Sequence, residues 1–112
     1  MDFAHLSNDR LNETGAYLAA AEAACRTRHT ISLKADDRRW LLTVNGKKAR
    51  VFARRFPTER PLRRATDQDV DGVHAVIFVD LTTSSPGFYV APPEHTTAGL
   101  VEQHRDEWER FD

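Results

Sequence analysis

The sequence predicts a single α/β domain of the α+β kind over residues 1–112: a central mixed, mostly antiparallel five-stranded sheet with an N-terminal and a C-terminal helix. Three observations predict it. An alanine-dense opening stretch repeats its apolar residues at helical spacing; two β-prone runs meet at Asn45-Gly46; and Val73-His-Ala-Val-Ile-Phe-Val-Asp80 is almost continuously apolar. Alternating short strands between terminal helices pack most economically as one sheet with helices against it.

Each element has its own local cause. Residues 8–26 read as a helix, with Leu11, Leu18, Ala21 and Cys25 at helical spacing, Ala19-Ala20-Ala21 favouring it further, and Ser7 as its N-cap. His29-Thr-Ile-Ser-Leu-Lys34 alternates as a first strand, and Ala35-Asp36-Asp37 reads as a turn. Trp40 to Arg55 is then a hairpin, because a two-residue type I′ turn needs positive φ at both central positions and Asn45-Gly46 supplies it. Residues 56–72, with Pro57 and Pro61, read as a loop. The run 73–80 has the pattern of a central strand covered on both faces. Ser84-Ser85-Pro86-Gly87 turns the chain into a strand at Phe88–Ala91, and Thr96 or Thr97 caps a final helix to about Phe111 with Val101, His104, Trp108 and Phe111 along one stripe.

Composition bounds the class. With 112 residues, 40% hydrophobic and 29% charged, the chain has the balance of one globular domain. No apolar run approaches the roughly 20 residues of a membrane span, and the opening Met-Asp-Phe-Ala-His lacks a signal peptide's basic and apolar regions, so a cytoplasmic protein without a membrane partner is expected. The single cysteine, Cys25, excludes an internal disulfide and a multi-cysteine zinc site, and reads as a small filler on the inner face of the helix.

A net charge of −1 conceals a segregation along the chain. Residues 34–64 hold eleven Lys and Arg against Asp36, Asp37 and Glu59, while the remainder holds five basic and fourteen acidic residues. In the second hairpin strand Lys48, Arg50, Phe52 and Arg54 share one face and Ala49, Val51 and Ala53 the other. Such an asymmetry attracts polyanions, of which nucleic-acid backbones are the commonest in a cell. Other constellations carry less. Asp67-Gln-Asp69-Val-Asp71-Gly72 opens like a calcium loop, but its twelfth position is Phe78, so it reads as a polar turn. The histidines at 5, 29, 74, 95 and 104 include no i, i+4 pair, and His74 reads as a core residue on a buried strand. The glycines are too scattered for a phosphate loop, and Ser84-Ser85 lacks a nucleophile elbow. Trp40 reads as packing over the edge of the sheet.

The helix segment Thr14-Gly15-Ala-Tyr-Leu-Ala-Ala-Ala-Glu22-Ala-Ala-Cys-Arg26, with its early glycine and later glutamate, is followed by Val76-Ile-Phe-Val-Asp-Leu81, Phe88-Tyr-Val-Ala-Pro92 and a terminal helix. Over residues 14–111 this order resembles the restriction-endonuclease-like PD-(D/E)XK superfamily. In that family an aspartate on the first hairpin strand and an acid-x-lysine pattern on the second hold a divalent metal and orient the attacking water. The aspartate position falls here on or beside Leu41, the acid on Arg50 and the lysine on Phe52. Arginine repels a metal but binds phosphate oxygens, so the resemblance implies a nuclease fold without nuclease chemistry.

The expected function is therefore a non-catalytic nuclease-like domain without metal or cofactor. It would bind nucleic acid, DNA rather than RNA, through Lys47, Lys48, Arg50, Arg54 and Arg55, with Arg60, Arg63 and Arg64 adding to the field. One alternative is an interaction or dimerisation module in which this face meets an acidic protein or the Glu102, Asp106, Glu107 and Glu109 segment of a second copy. The other is a divergent Mg²⁺-dependent nuclease with a migrated site built from Glu22, Asp36, Asp37 and Asp80, with Lys34 or Lys48 as its ammonium.

Overall fold

Seven residues in, Ser7 starts the first helix as the sequence predicts: in the computed structural model its side chain accepts the Arg10 backbone N–H at 3.3 Å. The structure describes residues 2–36, 39–59, 72–95 and 100–112. Helix α1 spans Asn8–Arg26 and ends where the Thr27 backbone and hydroxyl both donate to the Ala23 carbonyl. Five strands come after it, β1 (Ile31–Asp36), β2 (Arg39–Val44), β3 (Lys47–Arg54), β4 (Ala75–Asp80) and β5 (Gly87–Ala91). Asn45 and Gly46 take φ of 55° and 73°, so the β2–β3 hairpin turns as its dipeptide requires. The first strand begins and ends two residues later than the sequence pattern suggests, and Ala35-Asp36 extends it instead of turning, because each pairs across to β2.

The sheet order is β1-β2-β3-β4-β5. All neighbours are antiparallel except β3 and β4, which run parallel. This is the α+β, mixed and mostly antiparallel five-stranded sheet expected from the sequence. Period-2 alternation divides it cleanly: Ala49, Val51 and Ala53 of β3 are buried toward α1, as are Leu42, Val44, Ala75, Ile77, Val79, Phe88 and Val90. Leu11, Ala16, Ala19 and Ala23 of α1 meet them, and Phe3, Trp108 and Phe111 complete the core. On the opposite face a second, smaller cluster forms from Phe78, Ala91 and Val101, flanked by Phe52 and Tyr89.

Small residues set how close α1 lies to the sheet. A Cβ built on Gly15 would sit 2.7 Å from the Ala53 Cβ, an atom fixed by the strand backbone. Only hydrogen fits there. Cys25, expected on the inner face of α1, is exposed, because the inward stripe runs Leu11, Gly15, Ala16, Ala19, Ala23 and leaves position 25 outside it.

The C-terminal α-helix expected from Thr96 or Thr97 onward does not form among the described residues. Positions 96–99 lie outside the described residues, and beyond them the chain makes two 3₁₀ turns, Val101–His104 and Trp108–Phe111, after an earlier one at Pro93–His95. Between those two turns the chain is extended, because Arg105 bridges Tyr89 and the Asp106 N–H donates to the Phe88 carbonyl at 3.0 Å. Satisfying the backbone of β5's outer edge outweighs continuing a helix. Asp106 takes a φ of 54° to turn the chain around that edge. As a result the expected single stripe is split: Val101 packs in the small cluster, Trp108 and Phe111 in the main core on the other face.

Polar contacts fasten this segment. The His104 Nδ1 lies 2.8 Å from Glu107, its Nε2 lies 2.9 Å from His95 Nδ1, and Arg110 donates to Glu107 and to the Val90 carbonyl. The His104 hydrogen bond holds the Glu107 carboxyl below the usual carboxylate range despite some burial, with the charge of Arg110 adding to the effect. His74, expected in the core of a strand, is instead exposed just before β4 and binds the Arg110 carbonyl at 2.7 Å.

Gly15→Ala tests the close approach. Alanine favours a helix interior by about 1 kcal/mol, but overpacking against a fixed Cβ costs about 1–3 kcal/mol. Urea unfolding is expected to show a net loss of stability for Gly15→Ala that is partly recovered in the Gly15→Ala/Ala53→Gly double variant; additive losses would place the clash elsewhere.

Candidate nucleic-acid interface

The face of the sheet turned away from α1 carries the chemistry. Register places Lys34, Leu41, Arg50, Val76 and Ala91 in one row across it, with Phe52, Phe78 and Tyr89 in the next and Arg54, Asp80 and Gly87 beyond. Lys48 sits opposite Thr43 at the other end of β3. Counting strand residues, five cations (Lys34, Arg39, Lys48, Arg50, Arg54) share this face with two carboxylates, Asp36 and Asp80. The alternation read from the sequence of β3 holds throughout: Ala49, Val51 and Ala53 are buried and the long side chains between them are not.

Two guanidinium groups are held in place. Arg54 and Asp80 are register partners on the parallel strands, and their side chains meet at 2.9 Å. The Arg54 guanidinium lies 5.5 Å over the Phe78 ring. Burial works to raise the Asp80 carboxyl, but hydrogen bonds from Arg54 and from Thr82 outweigh it and hold the group below its ordinary range. The bond to Asp80 raises Arg54 in turn. One strand pair away, Arg50 donates to Asp36 at 3.0 Å. Its Nε and Nη1 are buried and have no acceptor among the described residues. A guanidinium with two enclosed N–H groups unmet is a costly arrangement, since each such donor forgoes water without gaining a partner.

The other expected contacts divide by place. Lys48 is exposed on this face, and its ammonium makes no ion pair among the described residues. Lys47 turns toward the C-terminal segment, where it donates to the Asp112 carbonyl. Arg55 comes directly after β3 and ties the chain to the entry of α1 through the Leu6 carbonyl and the Asn8 side chain, with Glu59 at 3.1 Å. Its role is structural. Arg60, Arg63 and Arg64 lie outside the described residues, as does the calcium-loop-like stretch 67–71.

The carboxylates proposed for a migrated metal site are not brought together. Glu22 lies on α1, across the sheet from the others, and pairs with Arg26 at 2.9 Å. Asp36 is on β1 and Asp80 on β4, three strand intervals apart, roughly 14 Å at about 4.8 Å each. Each is already engaged by its own arginine. Asp37 lies outside the described residues. Among the described residues no three His, Cys, Asp or Glu side chains form a group able to hold a metal ion. Of the three positions singled out on the hairpin, Leu41 pairs directly with Arg50, and Phe52 lies on the same face two residues along.

Sequence reasoning missed the cluster of His95, His104, Glu107 and Arg110, because its histidines are nine residues apart and meet through the return of the chain, not along a helix. It also missed that Asp80 is the partner of Arg54, a pairing set by parallel register alone. Comparison with protein-family models, with curated proteins and with solved structures finds no match. Among the described residues no helix is long and apolar enough to cross a membrane.

The sign of the Asp80 shift fixes its pH dependence. A carboxyl whose pKa is lower folded than unfolded contributes stability that is fully present above the unfolded value, about 4, and is lost as pH falls through the folded value. Asp80→Asn is expected to lower stability at neutral pH by about 1–3 kcal/mol, because Arg54 loses its charged acceptor while half-buried. The loss should shrink as the pH is lowered toward about 3, which guanidinium titrations at neutral and acid pH measure; a pH-independent loss would mean that packing, not charge, is at stake.

Proposed function

We propose that this chain is a non-catalytic, restriction-endonuclease-like domain that grips a nucleic-acid backbone on the β1–β3 part of the sheet face turned away from α1. The observation that carries the reading is the sorting of β3: its inward positions are alanine and valine, while its outward positions are Lys48, Arg50, Phe52 and Arg54. With Lys34 and Arg39 on the same face, cations outnumber strand carboxylates five to two, and the excess is local although the whole chain is nearly neutral. Half-exposed Phe52 and Tyr89 stand between the cations as surfaces for stacking.

The resemblance to the nuclease superfamily is supported by the five-stranded mixed sheet, the helix on one face and the hairpin at its centre. The positions that resemblance assigns to metal chemistry hold Leu41, Arg50 and Phe52, which favours holding a phosphate over cutting beside it. Backbone contacts of this kind bind without strong sequence preference and weaken with salt.

The test is a Lys48→Glu/Arg50→Glu variant titrated against a labelled duplex at roughly 50 and 200 mM salt. Wild type is expected to bind with a steep salt dependence. The variant should lose on the order of tenfold or more in affinity, and its slope of log K against log salt should fall by about 2, the loss of two phosphate contacts. Equal affinity and slope for the two proteins would retire the reading.

A further inference from the structure

The sheet face turned away from α1 is not uniform across its strands. Its exposed cations stand at one side: Lys34 of β1 shares a register row with Arg50 of β3, and Lys48 lies two residues before Arg50, about 6.6 Å along the strand. Its aromatics run to the other side, with Phe52, Phe78 and Tyr89 in the next row across β3, β4 and β5. Phe78 is covered, with the Tyr89 ring at 5.9 Å and the Arg54 guanidinium at 5.5 Å, whereas Phe52 and Tyr89 are half-exposed.

Toward β5 the charge reverses. Val101 packs with Phe78 and Ala91, and Glu102 is exposed next to it in the chain. The hydrogen bond to Asp80 holds Arg54 above its ordinary value and the charge of Glu102 adds to that, so this acid lies within electrostatic reach of the face. Residues 101–112 hold five carboxylates against Arg105 and Arg110.

Shape and charge together choose the form of nucleic acid. A duplex is read by an element that enters a groove, and the major groove, about 12 Å wide, admits a helix or a two-stranded ribbon. Here α1 lies on the opposite face, and the β2–β3 hairpin is flanked by β1 and β4. A duplex laid flat on the sheet carries a backbone on either side of its bases, and the second backbone would fall toward Glu102. A single strand has one backbone, and the faces of its bases are free. Cations followed by half-exposed aromatics match that order, because an aromatic ring stacks on any base whose face is open.

We infer, on the basis of the nucleic-acid reading of this face, that its ligand is a single strand whose backbone runs along Lys34 and Lys48 and one of whose bases stacks on Phe52. Tyr89, two strands away in the same row, is the next ring available to a base.

Fluorescence anisotropy of a labelled strand of roughly 15 nucleotides, alone and annealed to its complement, tests this. Wild type is expected to bind the single strand on the order of tenfold tighter than the duplex at equal salt, a comparison that needs no substitution. Phe52→Leu keeps an apolar side chain beside Phe78 but loses the stacking ring. With folding checked by circular dichroism, it should cost about fivefold or more in single-strand affinity and leave duplex affinity unchanged, while Phe52→Tyr should bind as wild type does. A wild type that binds the duplex at least as tightly, or a folded Phe52→Leu that holds the single strand undiminished, would overturn the inference and leave the cationic face a nucleic-acid site. Binding to neither form would retire both.

Discussion

The contact of α1 with β3 is the constraint on which the rest depends. Gly15 against Ala53, with Ala16, Ala19 and Ala23 of the helix over Ala49 and Val51, brings two backbones together with almost no side chain between. A strand so pressed has room only for alanine and valine on its inner face. Every long residue of β3 must then project from the other side, which is how a short strand comes to present Lys48, Arg50 and Arg54 together. Small residues bury little area each, and the deficit is met from the chain ends by Phe3, Trp108 and Phe111.

Parallel pairing of β3 with β4 has a second consequence. It sets Arg54 beside Asp80, where burial alone would have disfavoured the carboxylate, and the pair is kept charged by mutual hydrogen bonding with help from Thr82. A buried charge is tolerated where it is answered: Arg54 is met at both terminal nitrogens, by Pro57 and Asp80, whereas Arg50 is met at one, by Asp36. Arg55 resembles Arg54: both terminal nitrogens are engaged, by Leu6, Asn8 and Glu59, and its Nε is buried without an acceptor among the described residues.

Much of the fold is legible in the sequence because it rests on local physics. The Ser7 cap and the limits of α1, the Asn45-Gly46 turn, and the two-sided burial of Ala75–Val79 each depend on neighbours a few residues apart. The C-terminal segment misleads because periodicity at Val101, His104, Trp108 and Phe111 is a statement about spacing, whereas the free edge of β5 competes for the same backbone groups. Cys25 misleads for a related reason: an alanine-rich helix offers two nearly equivalent stripes, and only the sheet chooses between them.

By itself the sequence determined the order of α1 and the five strands, the hairpin, the alternation of β3 and the absence of carboxylates where a nuclease-like reading would want them, since all of these are carried by residue type and short-range spacing. Which cations are spent internally and which remain on the surface was decided by the tertiary structure alone. So was the inequality of the two sheet edges, one closed by the returning chain and one left open among the described residues. Both are matters of contacts between residues distant in sequence, where register and loop closure, and no local preference, set who meets whom.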